Sequence, residues 1–252
     1  MDLGGSSRCF AVILAAGQGR RLGERFPAKA LLPFGGETLL ARHIAILETF
    51  GVSEIAVTVG YQAQELGNEV TRLGRAGRVV LIDNPHFRDG SIVSLWCARE
   101  LLRSRRPMLL MDADVLYDRR LMARLLSSPY ENCFLLDRTI EPGEEPVKLC
   151  INDGRIVDFS KWPRIPHAWH GESVGFFRFA PEIAAELADR VERYVAEPRS
   201  GAEYEEPIRD MVLAGGGSKF GFEDITGLPW IEIDFPEDVR RAETAIFPEL
   251  IA

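Results

Sequence analysis

Short, wholly apolar runs alternate with longer stretches of helical periodicity through the first half of the chain. Residues 11–15, 55–59, 79–82, 108–111 and 133–136 read as buried strands. Residues 39–50, a polar stretch after 60, 94–102 and 119–126 read as the helices between them. Strands apolar on both faces and separated by helices of this length predict βαβ units and a mostly parallel sheet, whose ligands sit at the strands' carboxyl ends. After Asp137 the rhythm changes. Residues 146–152 and 155–161 are β-like runs joined by Asn152-Asp153-Gly154, a hairpin signal. A strand over 173–179 gives way at Ala180-Pro181 to a helix through about 195. A Pro/Ser/Gly loop at 198–201, a helix over 203–213, a flexible Gly215-Gly216-Gly217 and strands at 219–225 and 230–234 follow, and Pro236 opens a closing helix. The fold class is therefore α/β, three-layered and Rossmann-like, with a mostly parallel but mixed central sheet. A single domain over 9–252 is expected behind a flexible tail over 1–8, with a small β-rich subregion at roughly 138–230.

The first strand runs straight into Ala15-Ala16-Gly17-Gln18-Gly19 and then Arg20, Arg21 and Lys29. Glycines strip the backbone of side-chain bulk and tolerate the positive φ that a nest of N–H donors needs. The bases add fixed positive charge, so the segment suits phosphate oxygens. It is not a P-loop, because no GK[ST] follows, and GQGRRL lacks the third glycine of the dinucleotide fingerprint. Farther on, the strand at 108–111 ends in Asp112-Ala113-Asp114. In extended backbone, residues two apart point to one side, and two carboxylates so placed call for a cation between them. Mg²⁺ fits, since it favours a few carboxylates together with ligand phosphates. Asp118 reads as the cap of the next helix. A second acid, Asp234, lies at another strand end before a helix, with Glu232 on the same side as a weaker candidate.

Composition narrows the partners. The 252 residues are 46% apolar and 27% charged, enough for a full core, and the net charge of −8 excludes a nonspecific nucleic-acid surface. No apolar run approaches the roughly 20 residues of a membrane span, and the amino terminus lacks a basic region followed by an apolar stretch. A cytoplasmic protein, monomer or homodimer, with no membrane partner is expected. Cys9, Cys97, Cys133 and Cys150 are scattered without a CxxC pair and read as free, buried thiols. His167 and His170 have metal-like spacing, but Pro163 and Pro166 argue against a helix there and no third ligand stands near.

LAAGQGRRL followed by Pro27, Lys29-Ala30-Leu31-Leu32 and Gly35-Gly36-Glu37-Thr38-Leu39 resembles the nucleotidyltransferases that load a nucleoside triphosphate onto a phosphorylated sugar, alcohol or amino alcohol. The chain departs from their motif in placing Ala28 between proline and lysine, and Arg20 where Thr or Ser is common. The resemblance implies that Arg21 handles the triphosphate, that Lys29 steadies phosphates, and that Asp114 and Asp234 hold the metal with Asp112 as a partner. Leu14, Ala15, Ala16, Gly17, Gly19 and Arg20 would then border the nucleotide. Segments 84–95, 145–148, 160–161, 171–175, 204–206 and 229–234 look like the LicC-type cytidylyltransferases, which use CTP. On that likeness Asn84, Ser91 and Ser94 lie beside the base. Lys161, Glu172, Tyr204, Glu205 and Trp230 fall to the acceptor, with phosphocholine foremost. A choline head is held by aromatic faces, for which Trp162, Trp169, Tyr204 and Trp230 are candidates. Acids at Glu144, Glu145, Glu172, Glu205 and Glu206 suit a primary ammonium, so phosphoethanolamine and 2-aminoethylphosphonate stay open beside inositol 1-phosphate. A sugar-1-phosphate or molybdopterin nucleotidyltransferase is the nearer rival, and an inactive nucleotide-sensing module the non-enzymatic one.

Overall fold

Alternate residues of the first strand serve two different cores, which is why its run is apolar without a break. Ala11 and Ile13 pack with Leu40, Ile44 and Leu47 on one face, whereas Phe10 and Val12 pack with Leu95, Leu102 and Phe177 on the other. The computed structural model describes residues 9–23, 25–140, 146–197, 201–215 and 218–250. The expected tail over 1–8, most of the loop at 198–201, Gly216, Gly217 and the acids Glu144 and Glu145 lie outside them.

In chain order the strands are β1 (Phe10–Leu14), β2 (Pro33–Phe34), β3 (Glu37–Thr38), β4 (Glu54–Val59), β5 (Val79–Asp83), β6 (Met108–Asp112), β7 (Val115–Tyr117), β8 (Cys133–Asp137), β9 (Lys148–Asn152), β10 (Arg155–Ser160), β11 (Trp169–Phe179), β12 (Gly221–Asp224) and β13 (Trp230–Glu232). The helices are α1 (Leu39–Thr49), α2 (Ala63–Arg72), α3 (Ser91–Cys97), α4 (Arg99–Leu102), α5 (Arg119–Ser127), α6 (Pro181–Ala196), α7 (Glu205–Ala214) and α8 (Pro236–Arg241). The main sheet runs β10-β9-β11-β6-β1-β4-β5, with β8 pairing β11 and β12. Strands β5, β4, β1 and β6 are mutually parallel, and β11 returns antiparallel against β6, so the sheet is mixed as expected. Helices cover both faces.

Local chemistry explains most boundaries. Thr38 Oγ1 caps α1 by accepting from the Ala41 N–H at 3.1 Å, and Asp118 caps α5 by accepting from that of Arg120 at 2.8 Å. The β9–β10 hairpin turns through Asp153 and Gly154, both at positive φ (48° and 72°). The helix expected over 94–102 begins earlier, at Ser91, because Gly90 with φ of 110° makes the entry bend. It divides at Ala98, whose N–H turns to the Leu95 carbonyl and closes α3 tightly before α4 begins. Strands β7 and β13 pair as a separate antiparallel ribbon, Glu232 beside Val115. Burial raises the pKa of the Cys9 and Cys133 thiols to about 11 and of Cys150 to about 12. These cysteines are packing groups.

Candidate active site

Parallel pairing of β1 and β6 sets Leu14 beside Asp112, so the loops leaving both strands open side by side at their carboxyl ends. The Ala15 N–H donates to Thr58 O at 3.0 Å and the Tyr61 N–H to Ala16 O at 3.0 Å, which fastens the glycine loop to the next strand. Above it opens a cleft of about 500 Å³. Leu14, Ala15, Ala16, Gly17, Gly19 and Arg20 all line it, as do Ser91, Ser94 and Asp112 farther along. Gly19 has φ of 60°, and a Cβ there would stand 3.1 Å from Lys29 Cγ. The bare backbone thus lets the lysine stem pass close beneath the loop.

Lys29 begins a short 3₁₀ turn, fixed from behind by Gln62 Oε1, which accepts the Ala28 N–H at 2.7 Å. Its ammonium donates to Asp114 Oδ2 at 2.8 Å and to Asp234 Oδ1 at 2.6 Å. Arg21 reaches the other oxygen of Asp234 at 3.4 Å. The two aspartates are distant in sequence, and the β7–β13 ribbon is what joins them. The Ile233 N–H donates to Asp114 O at 3.0 Å, and His43 Nε2 donates to Val115 O at 3.0 Å from below. Asp238 then fixes the far end by accepting the N–H groups of Asp234 and Phe235. Glu232, the weaker candidate of the sequence reading, completes the group. Asp114, Glu232 and Asp234 offer carboxylate oxygens all within 4.8 Å of one another.

Such a set of hard oxygens, already bridged by one cation, fits a divalent ion. It is the sole group of three or more His, Cys, Asp or Glu side chains with that spacing among the described residues. Burial acts to lower the pKa of Lys29, but the charges of Asp114 and Asp234 outweigh it and hold the ammonium above the usual lysine range. Glu232 opens to the solvent of the cleft while standing deep among protein atoms. That enclosure first, then the charges of Asp114 and Asp234, raise its carboxyl well above normal.

Several expected placements change. Asp112 falls outside the group of Asp114, Glu232 and Asp234, because β6 ends at Asp112 and the chain turns before Asp114, so the parity of an extended strand no longer applies. Asp112 instead accepts the Tyr204 hydroxyl at 2.5 Å. It fits there only because residue 175 is glycine, at φ of 76°, where a Cβ would lie 2.1 Å from Asp112 Oδ2. Burial, followed by the charges of Asp114, Glu205 and Glu232, raises the carboxyl of Asp112. Asn84 is buried behind the cleft, donating from Nδ2 to Ser94 Oγ at 3.0 Å, so it orients the serine without lining the site. Ser91 is the first residue of α3, behind Gly90 at the cap position. Its Oγ accepts the Tyr204 N–H at 3.0 Å, tying α3 to the start of α7.

Lys161, Tyr204 and Glu205 line the far end of the same cleft, where Lys161 pairs with Glu203 at 3.0 Å. Glu172 and Trp230 do not. They border a separate cavity of about 680 Å³ that touches the first through Glu232 and Asp234, and the Trp230 indole donates to Asp137 Oδ2 at 2.8 Å. The expected aromatic cage is also not assembled. Trp162 is 58% exposed, and Trp169 packs between Arg138 and Phe222 because β11 carries it to the β9 side of the sheet. His167 and His170 bond to each other at 2.9 Å, without a third metal-ligating neighbour among the described residues. Glu203 is not singled out by the sequence, where it is one of three acids in Glu203-Tyr204-Glu205-Glu206 and nothing marks it from the other two.

The model of the MobA-like NTP transferase domain matches residues 11–151. A CMP-5'-(3-aminopropyl)phosphonate synthase of Streptomyces rubellomurinus is 29% identical over 251 residues, covering 94% of this chain, which spans only 39% of that protein. The inositol-1-phosphate CTP transferase from T. maritima superposes with a TM-score of 0.76 at 21% identity, covering 98% of this chain and 99% of that one. The CTP:phosphocholine cytidylyltransferase LicC from Streptococcus pneumoniae superposes with a TM-score of 0.74 at 20% identity, covering 94% and 98%. These two likenesses establish the fold. No helix of the described residues is long and apolar enough to cross a membrane.

Proposed function

Since the chain belongs to the family of MobA-like NTP transferase domains, a nucleotidyltransferase family, we propose that it moves the cytidylyl group of CTP onto a phosphate or phosphonate oxygen of a small polar acceptor. Pyrophosphate leaves, and a CDP-linked or CMP-linked product remains. The acceptors in view are phosphocholine, phosphoethanolamine, 2-aminoethylphosphonate and inositol 1-phosphate. The names of the aligned synthase and of the two superposed transferases support the reading, each specifying CTP or a CMP product and a small phosphorylated or phosphonylated partner. The observation that carries it is the meeting of Lys29, Asp114 and Asp234 beside a glycine loop.

An acceptor oxygen attacks the α-phosphorus, a new P–O bond forms, and the bond to the bridging oxygen of pyrophosphate breaks. The acceptor is ionised at neutral pH, so no general base is required. Lys29 and Arg21 offset the charge that gathers on the leaving group, and loop N–H groups hold the phosphates in line. Ser91 and Ser94 present hydroxyls toward the base. Asp114, Glu232 and Asp234 would hold Mg²⁺, which when bound supplies charge neutralisation between them and the phosphates. The test is pyrophosphate release from each common nucleoside triphosphate, with Mg²⁺, against those four acceptors. CTP should be preferred, and Asp114→Asn should lose turnover while remaining folded by circular dichroism. Preference for another triphosphate rejects the cytidylyl assignment, and normal turnover in the variant rejects the role of Asp114.

A further inference from the structure

The far end of the cleft carries a carboxylate with one oxygen left without a donor. Glu205, the first residue of α7, lines the cleft, and its Oε2 is sealed from solvent without a hydrogen-bond donor. A buried carboxylate oxygen left unpaired is costly, and native proteins rarely keep one without a use. The Lys161 charge acts on the carboxyl from a distance, but no neighbouring donor reaches that oxygen. Lys161 donates to Glu203, and the Tyr204 hydroxyl goes to Asp112. The terminal torsion of a glutamate is soft, so either oxygen can face the cleft.

The aromatic side gives the complementary result. Phe159 and Phe177 line this end but are fully buried in the core, and Tyr204 meets Phe177 edge-on with its hydroxyl engaged. None of Trp162, Trp169 and Trp230 lines this cleft. A trimethylammonium group has no N–H and relies on aromatic faces. A primary ammonium has three donors and is satisfied by carboxylates.

We propose that Glu205, with Glu203 beside it, seats a primary ammonium of the acceptor, making the preferred substrate a short phosphorylated or phosphonylated primary amine. This rests on the cytidylyltransferase reading above. Burial, and then the charge of Glu203, pushes the Glu205 carboxyl up to about 8. An acceptor cation placed there would draw it down and convert an unfavourable group into a binding contact.

The test compares 2-aminoethylphosphonate with its N,N,N-trimethyl analogue, two acceptors that differ only in the methyl groups, by pyrophosphate release from CTP. Wild type should favour the primary amine by at least about 10-fold in kcat/KM, the scale of one charge-assisted hydrogen bond. Glu205→Gln should lower kcat/KM for the primary amine by about 10- to 100-fold, chiefly through KM, and change the trimethyl analogue by less than about 3-fold. Equal or better use of the trimethyl analogue or of inositol 1-phosphate by wild type overturns the assignment while leaving cytidylyl transfer standing, and so does an equal loss for both acceptors in the variant. Absence of pyrophosphate release from CTP with every acceptor overturns both. The wild-type comparison decides the matter even if the variant does not fold.

Discussion

Replacing Lys29 by methionine keeps the apolar stem of the side chain and removes the ammonium from between Asp114 and Asp234. Three carboxylates with oxygens within 4.8 Å of one another then face each other with no lysine between them. At that separation and an effective dielectric of about 20, one pair of unit charges repels by about 3.5 kcal/mol. Two hydrogen bonds, at 2.8 and 2.6 Å, are lost as well. Protonation of one acid relieves part of the repulsion, so the expected net loss is about 3 kcal/mol, in line with breaking a buried ion pair from one side. For a chain of this size that lowers Tm by about 6–12 °C. The assay is thermal and urea denaturation of both proteins in chelator, repeated with Mn²⁺. Manganese should restore most of the lost stability, and the variant should bind Mn²⁺ without nucleotide at least about 10-fold more tightly than wild type, because the ammonium no longer occupies the space between the acids. Turnover should nevertheless fall, since the cation that steadies the leaving group is gone. Equal stability of the two proteins in chelator, with equal affinity for Mn²⁺, would refute the reasoning.

Gly175→Ala should lower Tm and reduce kcat/KM by more than 10-fold, because the added methyl meets Asp112 Oδ2 at 2.1 Å on backbone of φ 76°; pyrophosphate release and a melting curve check it, and an unaltered variant would show that Asp112 can move aside freely. Glu205 gives a pH signature in the unliganded protein. Its folded pKa of about 8 stands above the usual glutamate value, so the folded state keeps a proton that the unfolded chain releases, and stability declines as pH rises from about 4.5 to about 8. Tm should fall over that window more in wild type than in Glu205→Gln, with the variant the more stable above pH 8; parallel curves would contradict the raised pKa.

Much of the architecture is written in residue patterns that report local physics. The apolar runs of β1, β4 and β6, the Asn152-Asp153-Gly154 turn and the Asp118 cap each need only a few neighbouring residues to specify them. The glycine loop and Lys29 were legible for the same reason. The site's other half was less so. Strands β7 and β13 have three residues each, too short for a period to register, yet their pairing is what brings Glu232 and Asp234 to Asp114. The parity argument for Asp112 and Asp114 assumed a strand that in fact ends between them. The tryptophans shared composition with a cage but not a location, since which side of β11 carries Trp169 depends on long-range pairing. Glu205 was named as an acceptor residue for its charge, whereas its lack of a partner exists only once α7 is packed.

The most direct test of the whole account is a crystal structure with CTP and Mn²⁺, the ion located by its anomalous signal. The account predicts one ion held among Asp114, Glu232 and Asp234 and touching the phosphates, with the Lys29 ammonium drawn off the aspartates onto the triphosphate. An ion elsewhere, or Lys29 still bridging the two aspartates beneath bound CTP, would contradict it.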